Sequence, residues 1–577
     1  MLLSIRVLTT LLVLLLVTGC SERQQAQTPD VPASRYDLII DNGVVYDGSG
    51  AAPVRARIGI KGDRIAAVGD LQDAVAERRL DAGGLAVAPG FINMLSWATE
   101  TLIEDGRGLS DIAQGVTLEV FGEGWSMGPL TEAMKEEDRE RQTDIRYDIE
   151  WTTLGEYLEF LERRGVSPNV ASFVGATTLR IKHIGYEDRA PTPAELQGMR
   201  DDVALAMEEG AMGVGSSLIY MPAFYADTDE LIALVDVAAE YGGSYVTHMR
   251  SEGNRLLEAV DEVLAIAEAT GAAVEIYHLK AAGKDNWQKM DQVIDRINAA
   301  RAEGVDIRAN MYTYTAGSTG LNAAMPPWVQ EDGFDAWVAR LRDPEIRARL
   351  LEDIETPTDA WENIYLASGG ADNVLLVGFR SDALKPLAGK TLAEVAAMRG
   401  STPAETMIDL VIEDNSRVDA VYFMMSEENL VKQIAQPWMS FQSDAAALAP
   451  EGVFLNSSTH PRAYGNFARL LGKYVREEGV IPLQEAVRRL TSLPASNLGL
   501  ADRGLLAAGH YADIVIFDPD TIQDNATYLQ PHQLATGVRH VFVNGEQVLA
   551  DGVHTGALPG RVVRGPGYQG ADGGAAR

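Results

Sequence analysis

Cysteine is almost absent from this chain. Cys20 is its only thiol, so no disulfide can form within it and packing must hold the fold together. Basic residues are also scarce: 49 lysines and arginines face 83 aspartates and glutamates, a formal net charge of −34. Nucleic acid selects basic surfaces, so it is excluded as a partner. Broad contact with anionic lipid is disfavoured for the same reason. The acidity itself reads as solubility or a salty habitat and names no substrate. Histidine is rare as well, with eight in 577 residues, so the position of each one is informative.

What is present begins at the N-terminus. Arg6 is followed by the apolar run LTTLLVLLLV and then by Thr18-Gly19-Cys20. A positive residue, a short apolar stretch and small residues at a cut site form a secretory signal. The run falls short of the roughly 20 residues that a membrane-spanning helix needs. VTGC resembles a bacterial lipobox, which implies cleavage before Cys20 and lipid on that residue. The plainer alternative is an ordinary signal with an incidental cysteine. Ser21 then points to the outer membrane, so the expected location is the bacterial envelope, lipid-anchored and facing the periplasm. Residues 21–36 are polar and proline-containing and read as a tether.

Short alternating apolar runs follow, punctuated by Asn42-Gly43 and Gly62-Asp63. They read as hairpins of a small β domain. The end of the chain has the same texture, in ADIVIF and VFVNG. The expectation is a small β-sandwich-like domain built from 37–89 and 500–560. Between them, 90–499 alternates short apolar strands with amphipathic helices, the βα pattern of an α/β fold. About eight strands can be drawn, the number a (β/α)8 TIM barrel needs. NRLLEAVDEVLAIAEAT is the clearest helix, with Leu256, Val260, Val263, Leu264 and Ala267 on one face. The stretch 322–437 is too long for a simple connection and reads as a subdomain inserted between the last two strands.

A barrel carries its active site at the C-terminal ends of its strands. The second expected strand ends on Glu123, the fifth on His248, the sixth on His278 and the eighth on Asp444. Three oxygen and nitrogen ligands with one open position suit a catalytic zinc, which lowers the pKa of water towards about 7. A remaining carboxylate can serve as general base and acid. Each residue has a plainer role open to it. The histidines could be hydrogen-bonded structural residues, Glu123 a loop carboxylate and Asp444 a helix cap. Their joint placement favours the metal.

The ordered motifs YDLIIDNGVVYDGSG, GDRIAAVG, APGF, RAPTPAELQGM, YVTHMRSE, YHLKAAG, YTYTAGSTG, QSD, HPRAYGNFARLLGKYVRE and ADIVIFDP run from about Tyr36 to about Gly552. Together they resemble the amidohydrolase superfamily, and within it the N-acyl-D-amino-acid deacylases. The resemblance implies zinc, one per chain, on Glu123, His248 and His278, with Asp444 as proton shuttle. It implies that Lys280, Tyr312, Ser318 and Arg462 hold the substrate's carboxylate and acyl carbonyl. A guanidinium fork and an ammonium suit a free carboxylate. Without the resemblance, Arg462 would read as a surface ion pair and Tyr312 as a core aromatic. Three positions depart from the family. Leu95 and Trp97 stand where a His-x-His pair is usual, which removes one of two metal sites. Glu123 stands where the better-known deacylases have a cysteine. Ala176 stands where relatives often have a histidine.

The expected activity is hydrolysis of an N-acyl-D-amino acid to a D-amino acid and a carboxylic acid. The D configuration comes from the resemblance alone. A periplasmic dipeptidase would use the same site with a different pocket for the acyl side. A binding lipoprotein without catalysis is the reading that Leu95 and Trp97 would favour. Trp97, Trp125 and Met127 could line an apolar acyl pocket or could be packing.

Overall fold

The computed structural model describes residues 35–570. The expected signal segment, Cys20 and residues 21–34 of the tether lie outside the described residues. The fold is α/β. Strands from both ends of the chain pair into one nine-stranded sheet. The leading five are Arg35–Val45, Val54–Lys61, Arg64–Gly69, Val75–Asp81 and Ala86–Pro89, and the trailing four are Ile514–Phe517, Val538–Val543, Glu546–Ala550 and Val553–His554. The two ends meet where Ile514–Phe517 runs antiparallel to Ala86–Pro89. Ile40, Ile58, Ile65, Val87, Ile516 and Phe542 form the apolar filling on this sheet.

Gly62-Asp63 makes the expected turn between two strands. Asn42-Gly43 does not. It sits inside the single strand Arg35–Val45, at a register shift between Ile40 and Gly43, with Asn42 at φ 57°. This is a bulge rather than a hairpin turn. A side chain at Gly43 would meet Val87 Cγ2 at 2.4 Å. The glycine therefore serves close packing between neighbouring strands.

The eight expected central strands are all present. They are Phe91–Asn93, Val116–Phe121, Asn169–Ser172 continuing as Val174–Gly175, Gly213–Ser217, Ser244–His248, Val274–Ile276, Ile307–Met311 and Met439–Phe441. Paired neighbours run parallel and follow chain order. Beyond the strand ends, Ser96 bridges to Ala445, in the same parallel sense, between the first strand and the last. Several strands are buried along their whole length, VTLEVF among them, because helices cover parallel sheets on their outer faces. Leu256–Thr270 turns Leu256, Val260, Val263 and Ala267 inward and stops at Gly271 in the left-handed conformation. Leu264, expected on that face, is half-buried, and Ile266 is buried instead.

The long stretch before the last strand holds a three-stranded antiparallel sheet of Ala316–Gly320, Asp419–Phe423 and Val374–Gly378. Its first strand lies ahead of residue 322. Leu376, Leu392, Met407, Val411 and Tyr422 give it a core of its own. The helix Glu427–Ile434 packs Leu430 and Ile434 into the central core instead.

Candidate active site

His248 is the last residue of its strand, and Glu123, His278 and Asp444 lie just past the ends of theirs. All four therefore project from the C-terminal ends of parallel strands. The backbone explains how. Glu123 lies between Gly122 at φ 103° and Gly124 at φ 79°. A Cβ on Gly122 would sit 2.3 Å from Phe173 O, and one on Gly124 would sit 2.8 Å from the Ser217 amide nitrogen. Only glycine on both sides lets the chain turn Glu123 inward. His278 at φ 36° and Asp444 at φ 47° are themselves left-handed, a conformation that persists only where the surroundings impose it. The His278 amide donates to Asn310 Oδ1 at 2.8 Å, and the Asp444 amide donates to Leu95 O at 3.1 Å.

Ligand-capable atoms of Glu123, His248 and His278 all lie within 4.8 Å of one another. His278 Nε2 is 2.5 Å from Glu123 Oε1, and His248 Nδ1 is 3.6 Å from the same oxygen. The two imidazole rings stand 4.6 Å apart. All three side chains are buried, and His248 Nε2 has no hydrogen-bond partner. Burial holds both imidazoles well below the usual histidine range, and for His278 the Lys280 ammonium adds to this. Burial also drives Glu123 well above the carboxylate range, with the negative charge of Asp444 adding. Neutral imidazoles and a desolvated carboxyl around one point are a donor set that a divalent cation fits.

All eight residues singled out in the sequence line one cavity of about 550 Å³. Asp444 receives the Trp97 indole N–H on Oδ1 at 3.0 Å and faces Arg462 with Oδ2 at 2.7 Å. The Arg462 guanidinium lies 4.5 Å from the Tyr312 ring centre, and Lys280 Nζ lies 5.6 Å from it. Ser318, on the inserted sheet, donates to Ala420 O at 3.1 Å. Trp97 and Trp125 line the cavity, whereas Met127 packs against the central core. A larger cavity of about 850 Å³ is lined by Ser251, Gly253 and Glu362 among others. No metal-capable group among the described residues falls within it.

Two features were not legible beforehand. Lys280 and Arg462, expected to be open to substrate, are each paired with a protein carboxylate. For Lys280 that partner is Glu252, at 2.5 Å. Glu252 also lies 3.0 Å from His278 Nδ1 and 3.6 Å from His248 Nε2. The acidic residue of YVTHMRSE, four positions after His248, was its only signal. His460 is the second. Its Nδ1 accepts the Arg462 amide at 2.9 Å and its Nε2 meets Ala316 O at 3.0 Å. It thus ties the start of helix Arg462–Arg469 to the inserted sheet.

Parallel strands whose ends bring two imidazoles and two carboxyls into one cavity make a site that suits a metal-dependent hydrolase. The chain matches the amidohydrolase family over residues 78–549 and belongs to it, and it is a metal-dependent amide hydrolase. Within the family it is 34% identical to the D-aminoacylase of Alcaligenes xylosoxydans xylosoxydans over 534 residues, covering 92% of this chain and 97% of that one. Two solved structures are also similar. One is a D-aminoacylase with a binuclear metal centre, activated by one metal and attenuated by a second (TM-score 0.76, 33% identity, 92% of this chain and 100% of that chain). The other is the N-acyl-D-glutamate deacylase of Bordetella bronchiseptica, complexed with zinc and a phosphonate mimic of the tetrahedral intermediate (TM-score 0.74, 31% identity, the same coverage).

Proposed function

We propose that this chain hydrolyses N-acyl-D-amino acids, with a single zinc on Glu123, His248 and His278 and with Asp444 as general base and acid. The convergence of the three ligand-capable side chains beside Asp444 carries the reading. A zinc ion there supplies Lewis acidity and a lowered pKa for water. Asp444 accepts a proton from the attacking water as its oxygen bonds to the amide carbon. It then returns the proton to the leaving nitrogen as the C–N bond breaks, giving a carboxylic acid and a free amino acid. Trp97 and Arg462 aim the two oxygens of Asp444 for both transfers. Lys280, Arg462, Tyr312 and Ser318, which all line the cavity, hold the substrate's carboxylate and acyl carbonyl.

The same reading extends to architecture. The eight parallel strands close into a (β/α)8 barrel across 90–499, a closure that the Ser96–Ala445 bridge supports. The insertion at about 322–437 roofs the mouth, and 37–89 with 500–560 form the small β domain. VTGC supports lipid anchoring at Cys20 on the periplasmic side.

The test is elemental analysis of the mature protein beside His248→Ala, followed by a screen of N-acyl-D- and N-acyl-L-amino acids. One zinc per chain, lost in the variant, with turnover of the D series, is the expected result. No zinc after reconstitution, or turnover of the L series alone, would refute the assignment.

A further inference from the structure

Trp97 stands at a position where the family usually supplies a metal ligand, and its indole touches the proposed proton shuttle. The indole Nε1–H donates to Asp444 Oδ1 at 3.0 Å. An indole nitrogen in this form is a donor only and has no lone pair to offer a cation. Leu95 is fully buried in an apolar cluster with Ile92, Leu118 and Phe173 and is equally unable to bind a metal. The backbone fixes the pairing from both sides. The Trp97 amide donates to Ala445 O at 3.0 Å, and the Asp444 amide donates to Leu95 O at 3.1 Å. Asp444, at φ 47°, is thus locked to the segment after strand Phe91–Asn93 that carries Trp97. Its other oxygen faces Arg462 at 2.7 Å. Each oxygen of this carboxylate therefore has one side-chain partner, Trp97 on Oδ1 and Arg462 on Oδ2. Among the described residues one metal-capable group converges, and Asp444 is outside it.

We infer that Trp97 is a positioning residue that both orients Asp444 and plugs the second metal position, so that the enzyme saturates at one zinc and is not attenuated by excess metal. The inference rests on the single-zinc reading above. A metal at the second position would need electron pairs from residues 95 and 97, and Leu95 and Trp97 offer none. The Trp97 N–H instead points at the Asp444 oxygen on that side. The N–H therefore replaces a mobile cation, whose occupancy follows the surrounding concentration, with a covalently fixed donor.

The experiment uses the mature full-length protein loaded with zinc, and three readouts: zinc content, turnover across a zinc titration, and kcat and KM of Trp97→Phe. That variant keeps a large ring and removes the N–H. The wild type should bind one zinc and keep its turnover in excess zinc. Trp97→Phe should keep its zinc and its KM, while kcat falls roughly tenfold, part of the 10²–10⁴ that a positioned general base contributes. Leu95→His/Trp97→His, checked for a cooperative melt, should take up a second zinc and slow down in excess metal. A second zinc on the wild type, attenuation of the wild type by excess zinc, or an unchanged kcat in Trp97→Phe would overturn the inference while leaving the single-site hydrolase standing. A wild type that binds no zinc would overturn both, and is seen before any variant is made.

Discussion

Replacing Glu252 with glutamine keeps the shape of the side chain and removes its charge. Lys280 Nζ lies 2.5 Å from Glu252 Oε1, and both side chains are 4% exposed. The ammonium, almost wholly buried, would then lose its one charged partner. Breaking a buried pair from one side costs about 3–5 kcal/mol, and glutamine still offers a carbonyl oxygen, so a loss of about 3 kcal/mol is expected. A second effect falls on the metal. Glu252 stands 3.0 Å from His278 Nδ1, where it holds the ring so that Nε2 faces Glu123. Loss of such an outer carboxylate lowers metal affinity by about 10–100-fold. Urea unfolding of the metal-free protein measures the first effect, and zinc competition against a chelator measures the second. The decisive arm is the double variant Glu252→Gln/Lys280→Met. With the orphaned charge gone, it should recover most of the lost stability but none of the lost zinc affinity. A single variant that loses less than about 1 kcal/mol, or a double variant that recovers nothing, would show that the pair does not matter as argued.

Asp444→Asn should retain its zinc while kcat falls by about 10²–10⁴, read by elemental analysis and steady-state kinetics on the same sample. Glu119 is buried in the central core, where burial pushes its carboxyl from the ordinary 4.5 up to about 7. The folded state therefore holds this proton more tightly than the unfolded chain does. The associated stability is complete below about pH 4.5 and is lost as pH rises through about 7, with the buried Asp111 beside it shifted in the same direction. Glu119→Gln should flatten that part of a stability–pH curve and melt above the wild type at pH 8. Gly122→Ala would place a methyl 2.3 Å from Phe173 O at φ 103°. It should cost about 1–3 kcal/mol and displace Glu123, seen as weaker zinc retention than in an alanine variant at the exposed Gly271.

The strand ends were readable because a buried parallel strand is a short apolar run, and a polar residue closing it has only one direction to face. That logic placed Glu123, His248, His278 and Asp444 at one mouth. It could not find Glu252, which lies in a loop where one acidic residue looks like any other until His278 and Lys280 are folded against it. It misread Asn42-Gly43, because a bulge and a turn need the same residue types and differ only in which strand lies alongside. Trp97 was legible as the absence of a ligand but not as a donor to Asp444, a contact made across more than 300 residues of chain. The length of 322–437 pointed to an insertion, and the three-stranded sheet of Ala316–Gly320, Asp419–Phe423 and Val374–Gly378 has two of its strands there. Its first strand was not legible, because AGSTG has little of the branched and aromatic character that marks a strand.

The nine-stranded sheet also constrains the order of assembly. Ala86–Pro89 is flanked by Arg35–Val45 on one side and by Ile514–Phe517 on the other. The second neighbour is synthesised more than 400 residues later. Until then Val87 and its neighbours form an open edge, ready to pair with any strand that arrives first. A chain stopped before residue 510 would keep its whole catalytic constellation in sequence and still carry that unpaired edge. Such a truncation should be recovered from cells as aggregate, and a soluble, monomeric one would disprove the point. For this protein residues 514–554, far from the chemistry in function, act as the closing clasp of its biogenesis.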